Sequence, residues 1–388
     1  MTLGQRKRHT RSSTGHPGLN LLRLTNRGLY CAAGDFYIDP WRPVTRAIVT
    51  HAHSDHATPG SSKYLACEAG RAILTRRLGQ KGRKTFLPYG RVHSVNGVKI
   101  SLHPAGHVLG SAQIRLEYRG HVWVVTGDYK LESDPTCAGF EPVPCDVFVT
   151  ETTFGLPVYR WPEPANVIAS MNDWWRQNQE LGRASVVYAY ALGKAQRILA
   201  SLDDSIGPLF AHGAVHQVNL GYIEDGVAMP GVTHATEANS DTDWSKALIV
   251  AVPSAHGTPW LKRFGRVSTA AASGWMRVRG TRRRRAVDRG FVLSDHVDWP
   301  SLLKAVEASQ AREVWTAHGY THHVARYLEE QGYATRTLDT RPRGDEDSEV
   351  DNKAVVPTDV DLSSTSSDQE LSREDLFSEV DSDEGGTS

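Results

Sequence analysis

Cysteine is scarce in this chain and never closely paired: Cys31, Cys67, Cys137 and Cys145 are all there is, with no Cys-x-x-Cys. That spacing argues against a zinc ribbon or a disulfide framework and fits a reducing compartment. Also missing is any apolar run approaching about 18 residues, so no transmembrane helix is expected. Met1 to Ser13 is basic and polar, without the apolar core of a signal peptide. A cytoplasmic location without a membrane partner is the expectation. Net charge is absent as well, with 44 Lys and Arg against 44 Asp and Glu. The balance hides a segregation. Residues 344–388 carry fifteen acidic side chains against Lys353 and Arg373, which leaves 42 basic and 29 acidic residues in 1–343, a net charge of +13. A basic body suits a polyanion-binding protein and is equally compatible with ordinary solubility. With 388 residues, 39% of them hydrophobic, and ten tryptophans, the chain can bury the core of two domains or of one elaborated domain.

The most informative stretch is His51-Ala-His53-Ser-Asp55-His56, directly after Arg46-Ala-Ile-Val-Thr50, which reads as a buried strand running into a loop. Side chains at i and i+2 of an extended segment point the same way. His51 and His53 can therefore grip one metal ion, while Asp55 and His56 on the turn beyond grip a second. Imidazole and carboxylate suit zinc, and the oxygen component also admits manganese or iron.

Further ligand-type residues stand where apolar runs end. Phe36-Tyr-Ile-Asp39 stops at Pro40, so Asp39 is either a hydrogen-bond acceptor bracing the metal loop or a plain turn residue. Ser62 to Leu78 contains helical material. Gly97 to Leu102 is strand-like and leads to His107, flanked by glycines, which reads as a third ligand of the first metal; His103, ahead of a proline, does not. His121 to Thr126 is a strand ending at Gly127-Asp128, a carboxylate placed to bridge two cations, with Lys130 as a candidate phosphate contact. Asp146 to Thr150 delivers Glu151. These exits are expected on the same edge of one sheet, where sites on α/β scaffolds gather.

From Trp161 to Val287 the texture is that of a second α/β lobe. Pro164 to Glu180 reads as a helix, Ser185 to Ala191 and Ala247 to Val252 as strands, and Gly193-Lys194 opens a helix whose N-terminus is a candidate phosphate site. Seven arginines fall between Arg277 and Arg289, and Arg282, Arg283 and Arg284 are candidate phosphate contacts. Phe291 to Ser294 is a strand leading to Asp295-His296. Glu313 to Ala317 ends in His318; His322 and His323 read as ordinary helix residues, and Ala334 to Leu338 as the last strand. The remainder is acidic and poor in aromatics, the composition of a disordered tail.

Taken in order, the motifs Phe36-Tyr-Ile-Asp39-Pro-Trp, His51-Ala-His53-Ser-Asp55-His56, Pro104-Ala-Gly-His107, Gly127-Asp128-Tyr-Lys130, Thr150-Glu151-Thr-Thr-Phe-Gly, Tyr190-Ala-Leu-Gly-Lys194-Ala-Gln-Arg197, Ser294-Asp295-His296 and Ala317-His318-Gly319-Tyr320 resemble the metallo-β-lactamase-fold nucleases of the β-CASP type. Within them the chain is most similar to the bacterial ligase-associated DNA exonucleases. The resemblance implies an α/β, four-layer αβ/βα sandwich with an inserted β-CASP-like α/β cap domain. The implied division is a basic disordered arm at 1–21, the first part of the sandwich at 22–160, the cap at 161–287, the return of the sandwich at 288–340 and the acidic disordered tail at 341–388.

Carried over residue by residue, the resemblance gives His51, His53 and His107 to one metal and Asp55, His56 and His318 to the other, with Asp128 bridging. It makes Glu151 and His296 the further acid and histidine of the β-CASP branch, catalytic together with Asp55 and Asp128. Two divalent ions, zinc first and manganese second, would let a hydroxide attack the scissile phosphate. The implied activity is a DNA exonuclease in DNA repair, partnered with an ATP-dependent DNA ligase and a helicase. The Ala-Gly-His107-Val-Leu-Gly stretch and His318 are also similar to the RNA-processing endonucleases of the superfamily, which makes RNA the alternative substrate. A small-molecule metallo-hydrolase is the second alternative, one that would not need Glu151, His296 or the arginine run.

Overall fold

The computed structural model describes residues 20–278 and 286–339. The basic arm up to residue 19, the acidic tail and Arg282, Arg283 and Arg284 lie outside the described residues. Leu21, read from sequence as part of the arm, is instead buried in the core.

Three sheets carry the architecture. The first runs in the order β1 (Leu22–Thr25), β2 (Gly28–Cys31), β3 (Phe36–Ile38), β4 (Arg46–Ile48), β5 (Lys63–Cys67), β6 (Arg83–Leu87). Its first two pairings are antiparallel and the rest parallel. The second takes β7 (His93–Val95), β8 (Val98–Pro104), β9 (Ala112–Tyr118), β10 (His121–Val125), β11 (Val147–Thr152), β18 (Glu313–Gly319) and β19 (Ala334–Thr337), hydrogen-bonded in that order. The third is wholly parallel, in the order β14 (Val232–His234), β13 (Leu209–Ala211), β15 (Leu248–Ala251), β12 (Ala184–Tyr188), β16 (Val267–Ala272), β17 (Arg289–Phe291). Each parallel step needs a crossover, and helices α3 (Lys194–Ser201), from β12 to β13, and α4 (Gly213–Glu224), from β13 to β14, supply two of them, while α2 (Pro164–Glu180) leads the chain from β11 into β12.

The period-2 alternation of strands explains the layering. On β10 and β11, Trp123, Val125, Val147 and Val149 turn towards the first sheet and join Leu29, Ile38, Ile48 and Leu65 in one core, where Trp123 and Trp315 pack edge to face with centroids 4.9 Å apart. The alternate residues Val124, Phe148 and Val314 turn outwards onto α5 (Trp299–Ser309) and α6 (Thr321–Glu330). On the outer face of the first sheet, Ala47, Val49 and Tyr64 meet Ile73, Leu74 and Leu78 of α1 (Arg71–Leu78). The layers are therefore helix, sheet, sheet, helix: the four-layer αβ/βα sandwich.

The cap sheet has its own core, built on Trp175, Val186, Ile198, Leu209, Ile249 and Ala270. Its chain is inserted between β11 and β18, which are nonetheless neighbours, with Val149 opposite Trp315 and Glu151 opposite Ala317. The helical material expected within 62–78 is α1, preceded by the strand Lys63-Tyr-Leu-Ala-Cys67, which is buried along almost its whole length. One expectation needs correction. The polar strand exits do not share one sheet edge, because β4 belongs to the first sheet while β10, β11 and β18 belong to the second. They meet because the two sheets pack face to face.

Candidate metal centre

The loop leaving β4 carries His51, His53 and His56 inwards, all buried. His107 arrives on the turn between β8 and β9, Asp128 just past β10, Glu151 near the end of β11 and His318 near the end of β18. His51, His53, His107 and Asp128 each offer one ligand atom, and all four atoms lie within 4.8 Å of one another.

Hydrogen bonds on the far side of each ring decide what points inwards. Thr50 Oγ1 gives its only proton to Asp39 Oδ2 at 2.6 Å, so at 3.1 Å from His51 Nδ1 it can only accept, which puts the His51 proton on Nδ1. His53 Nε2 lies 3.0 Å from the Leu192 carbonyl and His107 Nδ1 lies 2.8 Å from the Asp295 carbonyl; a carbonyl only accepts, so both nitrogens are protonated. The opposite nitrogens, His51 Nε2, His53 Nδ1 and His107 Nε2, are therefore bare lone pairs. They face one another, with His53 Nδ1 3.1 Å from each of the other two. Three lone pairs at hydrogen-bond distance with no proton among them repel, and a cation at their meeting point turns the repulsion into ligation. The residues thus fit a metal with three nitrogen donors and a carboxylate.

A second set adjoins it. His56 Nδ1 donates to Asp39 Oδ2 at 2.7 Å, which turns Nε2 towards Asp55 Oδ2 and Asp128 Oδ2, each 3.4 Å away, where a bound cation would take the place of the Nε2 proton. Asp55 Oδ1 is buried with no hydrogen-bond partner. The His318 ring centroid is 5.6 Å from that of His56. His318 itself takes a left-handed backbone, φ 55°, and Gly319 follows at φ 75°, where a Cβ would come within 2.5 Å of the Thr152 carbonyl oxygen. A cavity of about 60 Å³ opens on this side, and its polar lining includes Asp39, Asp55, His56, Glu151 and His318.

The electrostatics follow from burial among like and unlike charges. Burial holds the His51 and His107 imidazoles well below their ordinary value, helped by His56 in the first case and by His296 and His53 in the second. Burial also opposes charge on His56, but Asp55, Asp128 and Asp39 outweigh it and push that imidazole well up. For Asp128 the desolvation cost is overcome by His56, His296 and His51, which hold the carboxyl well below its usual range.

Glu151 and His296 form a third feature. Glu151 Oε2 accepts from His296 Nδ1 at 2.9 Å and Oε1 accepts from the Tyr129 backbone N–H at 2.8 Å. The His296 carbonyl accepts from Trp161 Nε1 at 2.8 Å. Asp128, Glu151 and His296 also place one ligand-type atom each within 4.8 Å of one another.

Two proposed phosphate contacts fall away. Lys130 is fully buried and donates to Asp134 Oδ2 at 2.7 Å, because the turn after Asp128 folds it inwards. Lys194 is also buried, with Nζ 3.9 Å from Asp295 Oδ2. Neither presents its charge at the surface. What the sequence could not reveal are the groups that set the tautomers: Thr50 has no metal-type side chain, and the Leu192 and Asp295 contributions are backbone carbonyls that any residue type would supply.

No protein-family model matches the chain. A protein of Opitutus terrae named "Probable DNA ligase" is 32% identical over 310 residues, which is 79% of this chain and 30% of that protein. The endoribonuclease ysh-1 of Neurospora crassa is 33% identical over 168 residues, 39% of this chain and 20% of its own length. Cleavage and polyadenylation specificity factor subunit 3 of Dictyostelium discoideum is 33% identical over 113 residues, 28% of this chain and 14% of that protein. The chain belongs to the metallo-β-lactamase/β-CASP nuclease family. It spans less than a third of the length of each of these relatives. A crystal structure of an Enterococcus faecalis protein of unknown function shares the fold, with a TM-score of 0.52 at 12% identity over 77% of this chain and 80% of that one. Within this family, the buried His and Asp cluster is where divalent metal would bind.

Proposed function

We propose that this β-CASP family member is a metal-dependent DNA phosphodiesterase that shortens DNA from an end during repair. It would act in the cytoplasm beside an ATP-dependent DNA ligase and a helicase. The observation that carries the choice of DNA is the extent of likeness: 310 residues are shared with the ligase-named protein, against 168 and 113 with the two RNA-processing proteins. RNA is the second reading, favoured by the names of those relatives and by His318. Residues 22–160 and 288–340 would form the catalytic body, and 161–287 the cap that covers substrate, with β17 (Arg289–Phe291) completing the cap sheet before the chain returns to the body.

In this reading His51, His53 and His107 hold one ion, Asp55, His56 and His318 the other, and Asp128 lies between. When bound, the two ions, zinc for preference, supply Lewis acidity that lowers the pKa of water and neutralises phosphate oxygens. The other steps belong to the chain. Both Glu151 oxygens already accept hydrogen bonds, which favours an orienting role over ligation. Glu151 fixes the His296 ring through Nδ1, so that Nε2 can carry a proton to the leaving oxygen, a contribution of roughly 10²–10⁴ in rate. Asp39 and Thr50 hold the ligand rings in register. Arg282, Arg283 and Arg284 would track the phosphate backbone without reading bases.

The test is a gel assay with zinc or manganese on 5′- and 3′-labelled single-stranded and duplex DNA beside matched RNA, with Asp128→Ala as control. Stepwise shortening of DNA that disappears in the variant supports the proposal. Cutting of RNA alone moves the protein to the ribonuclease reading. Turnover of a lactam or thioester without cutting of either polymer moves it to small-molecule hydrolysis.

A further inference from the structure

Of the three imidazoles that converge on the first metal position, only His51 is oriented from within its own sheet, through Thr50 and Asp39. The other two depend on the cap or on a loop that the cap holds. His53 Nε2 donates to the carbonyl of Leu192, in the turn between β12 and α3, and the ring of Tyr190 from the same turn packs edge-on against His53 with centroids 4.8 Å apart. His107 Nδ1 donates to the carbonyl of Asp295, and the neighbouring Ser294 carbonyl accepts from Arg197 Nη1 of α3 at 2.8 Å.

The turn and the helix are built for this contact. Gln196, fully buried, accepts from the Gly193 backbone N–H at 2.8 Å, donates to the Ala191 carbonyl at 3.0 Å and donates to Asn219 Oδ1 on α4 at 2.9 Å. Gly193 sits at φ 96°, and a Cβ there would come within 2.3 Å of Val108 Cγ1, directly after His107. The backbone conformation and the close approach each require glycine at this position. Buried Arg197 also lies 3.7 Å from Asp134 Oδ2 and 3.8 Å from Asp295 Oδ1, so the helix is tied by charge to the loops after β10 and before α5. Burial makes these partners hard to exchange for water.

We infer that the seating of α3 sets the affinity of the first metal position, with Gln196 and Arg197 as positioning residues acting through Leu192 and Asp295 on His53 and His107. The second position, whose His56 is oriented by Asp39, is independent of the cap. The coupling is reciprocal: an ion held by His53 and His107 fixes the rings whose N–H groups grip the cap turn, so loading the first position tightens α3 against the body. Metal ligands whose outer hydrogen-bond partner is removed typically lose about 10- to 100-fold in affinity. The two positions should separate by that amount when the cap contact alone is weakened.

The inference rests on the two-metal reading above, and the experiment separates the two. Zinc is titrated into the metal-free full chain against a chelating dye, with His107→Ala and His318→Ala marking which binding step belongs to which position. The test variants are Gln196→Met, which removes the staples of the turn without changing charge, and Arg197→Lys, which keeps the charge and shortens the reach to Ser294. Expected is a loss of about 10-fold or more in the first step for Gln196→Met and a smaller loss for Arg197→Lys, with the second step unchanged in both. The visible spectrum of the cobalt-substituted protein should change in the first-position band only. Equal weakening of both steps, or no weakening of either, overturns the inference. Should Gln196→Met fail to fold, hydrogen exchange on the otherwise native His318→Ala chain decides: amides of residues 190–201 must slow when zinc binds, and unchanged exchange there overturns it. A wild-type chain that binds no zinc refutes the metal centre itself and removes the inference with it. That outcome is distinct from a wild type that binds two ions while the variants behave like it.

Discussion

Replacing Asp39 by asparagine keeps the side chain's shape and removes its charge and one of its two acceptor oxygens. In the native protein Oδ1 accepts from the Thr50 backbone N–H at 2.8 Å, and Oδ2 accepts from Thr50 Oγ1 at 2.6 Å and His56 Nδ1 at 2.7 Å. With the amide oxygen retained opposite the Thr50 N–H, an NH₂ group stands where Oδ2 was. It cannot face a His56 Nδ1–H, so the neutral ring that ion binding requires keeps its one proton on Nε2, towards Asp55 and Asp128, each 3.4 Å away. Thr50 Oγ1, now an acceptor of the amide proton, can turn its own proton to His51 Nδ1 and drive the same tautomer change there. One substitution thus places protons where both ions need lone pairs. Loss of an outer-shell partner costs about 10- to 100-fold in affinity. At about 1.4 kcal/mol per tenfold, that is about 1.4–2.8 kcal/mol at each position. The dye titration used for Gln196→Met reads both steps, and Asp39→Asn should weaken both where Gln196→Met weakens one. Hydrolysis should recover as zinc is raised. Two unchanged binding steps would refute the tautomer argument.

Three further outcomes are expected. His296→Ala should keep both zinc ions and lower kcat by roughly 10²–10⁴, whereas Asp128→Ala should abolish metal-dependent hydrolysis; loss of zinc in His296→Ala, measured by metal analysis, would make His296 a ligand. Lys130→Met should leave Asp134 buried beside the more distant Arg197 and cost about 3 kcal/mol in chemical denaturation, while the folded variant keeps wild-type DNA affinity; selective loss of DNA binding would restore its phosphate role. Metal-free protein should lose stability as pH falls below about 6.5, because the unfolded chain takes up protons that the buried, low-pKa His51 and His107 refuse. His56, raised above its ordinary value, has the opposite sign, and its contribution is lost as pH rises. With two imidazoles against one, the melting temperature of the chelated protein should drop from pH 7.5 to 5.5; a rise would contradict the assignment.

Much of the proposed site was legible in the linear chain, because ligand identity and strand exits are local properties. His51 and His53 share a direction through the period of an extended segment, and Gly127-Asp128 and Thr150-Glu151 end runs whose buried faces are written in their composition. The inserted lobe showed itself as a second series of strand, glycine and helix. Charge was less readable. Lys130 and Lys194 stand beside phosphate-type motifs in sequence, yet both are buried near carboxylates, since a turn or a helix start can fold a long side chain inwards as easily as outwards.

The kinds of atom available for metal were therefore settled residue by residue, since imidazole and carboxylate are properties of single side chains. Which nitrogen of each imidazole is bare was settled by folding, since that depends on what faces its other nitrogen. Those partners are Asp39 by way of Thr50, a carbonyl in the cap turn 139 residues from His53, and a carbonyl 188 residues from His107. A backbone carbonyl carries no residue signature, and its placement depends on how the cap sheet and the two body sheets pack, so no reading of the chain in one dimension could reach it.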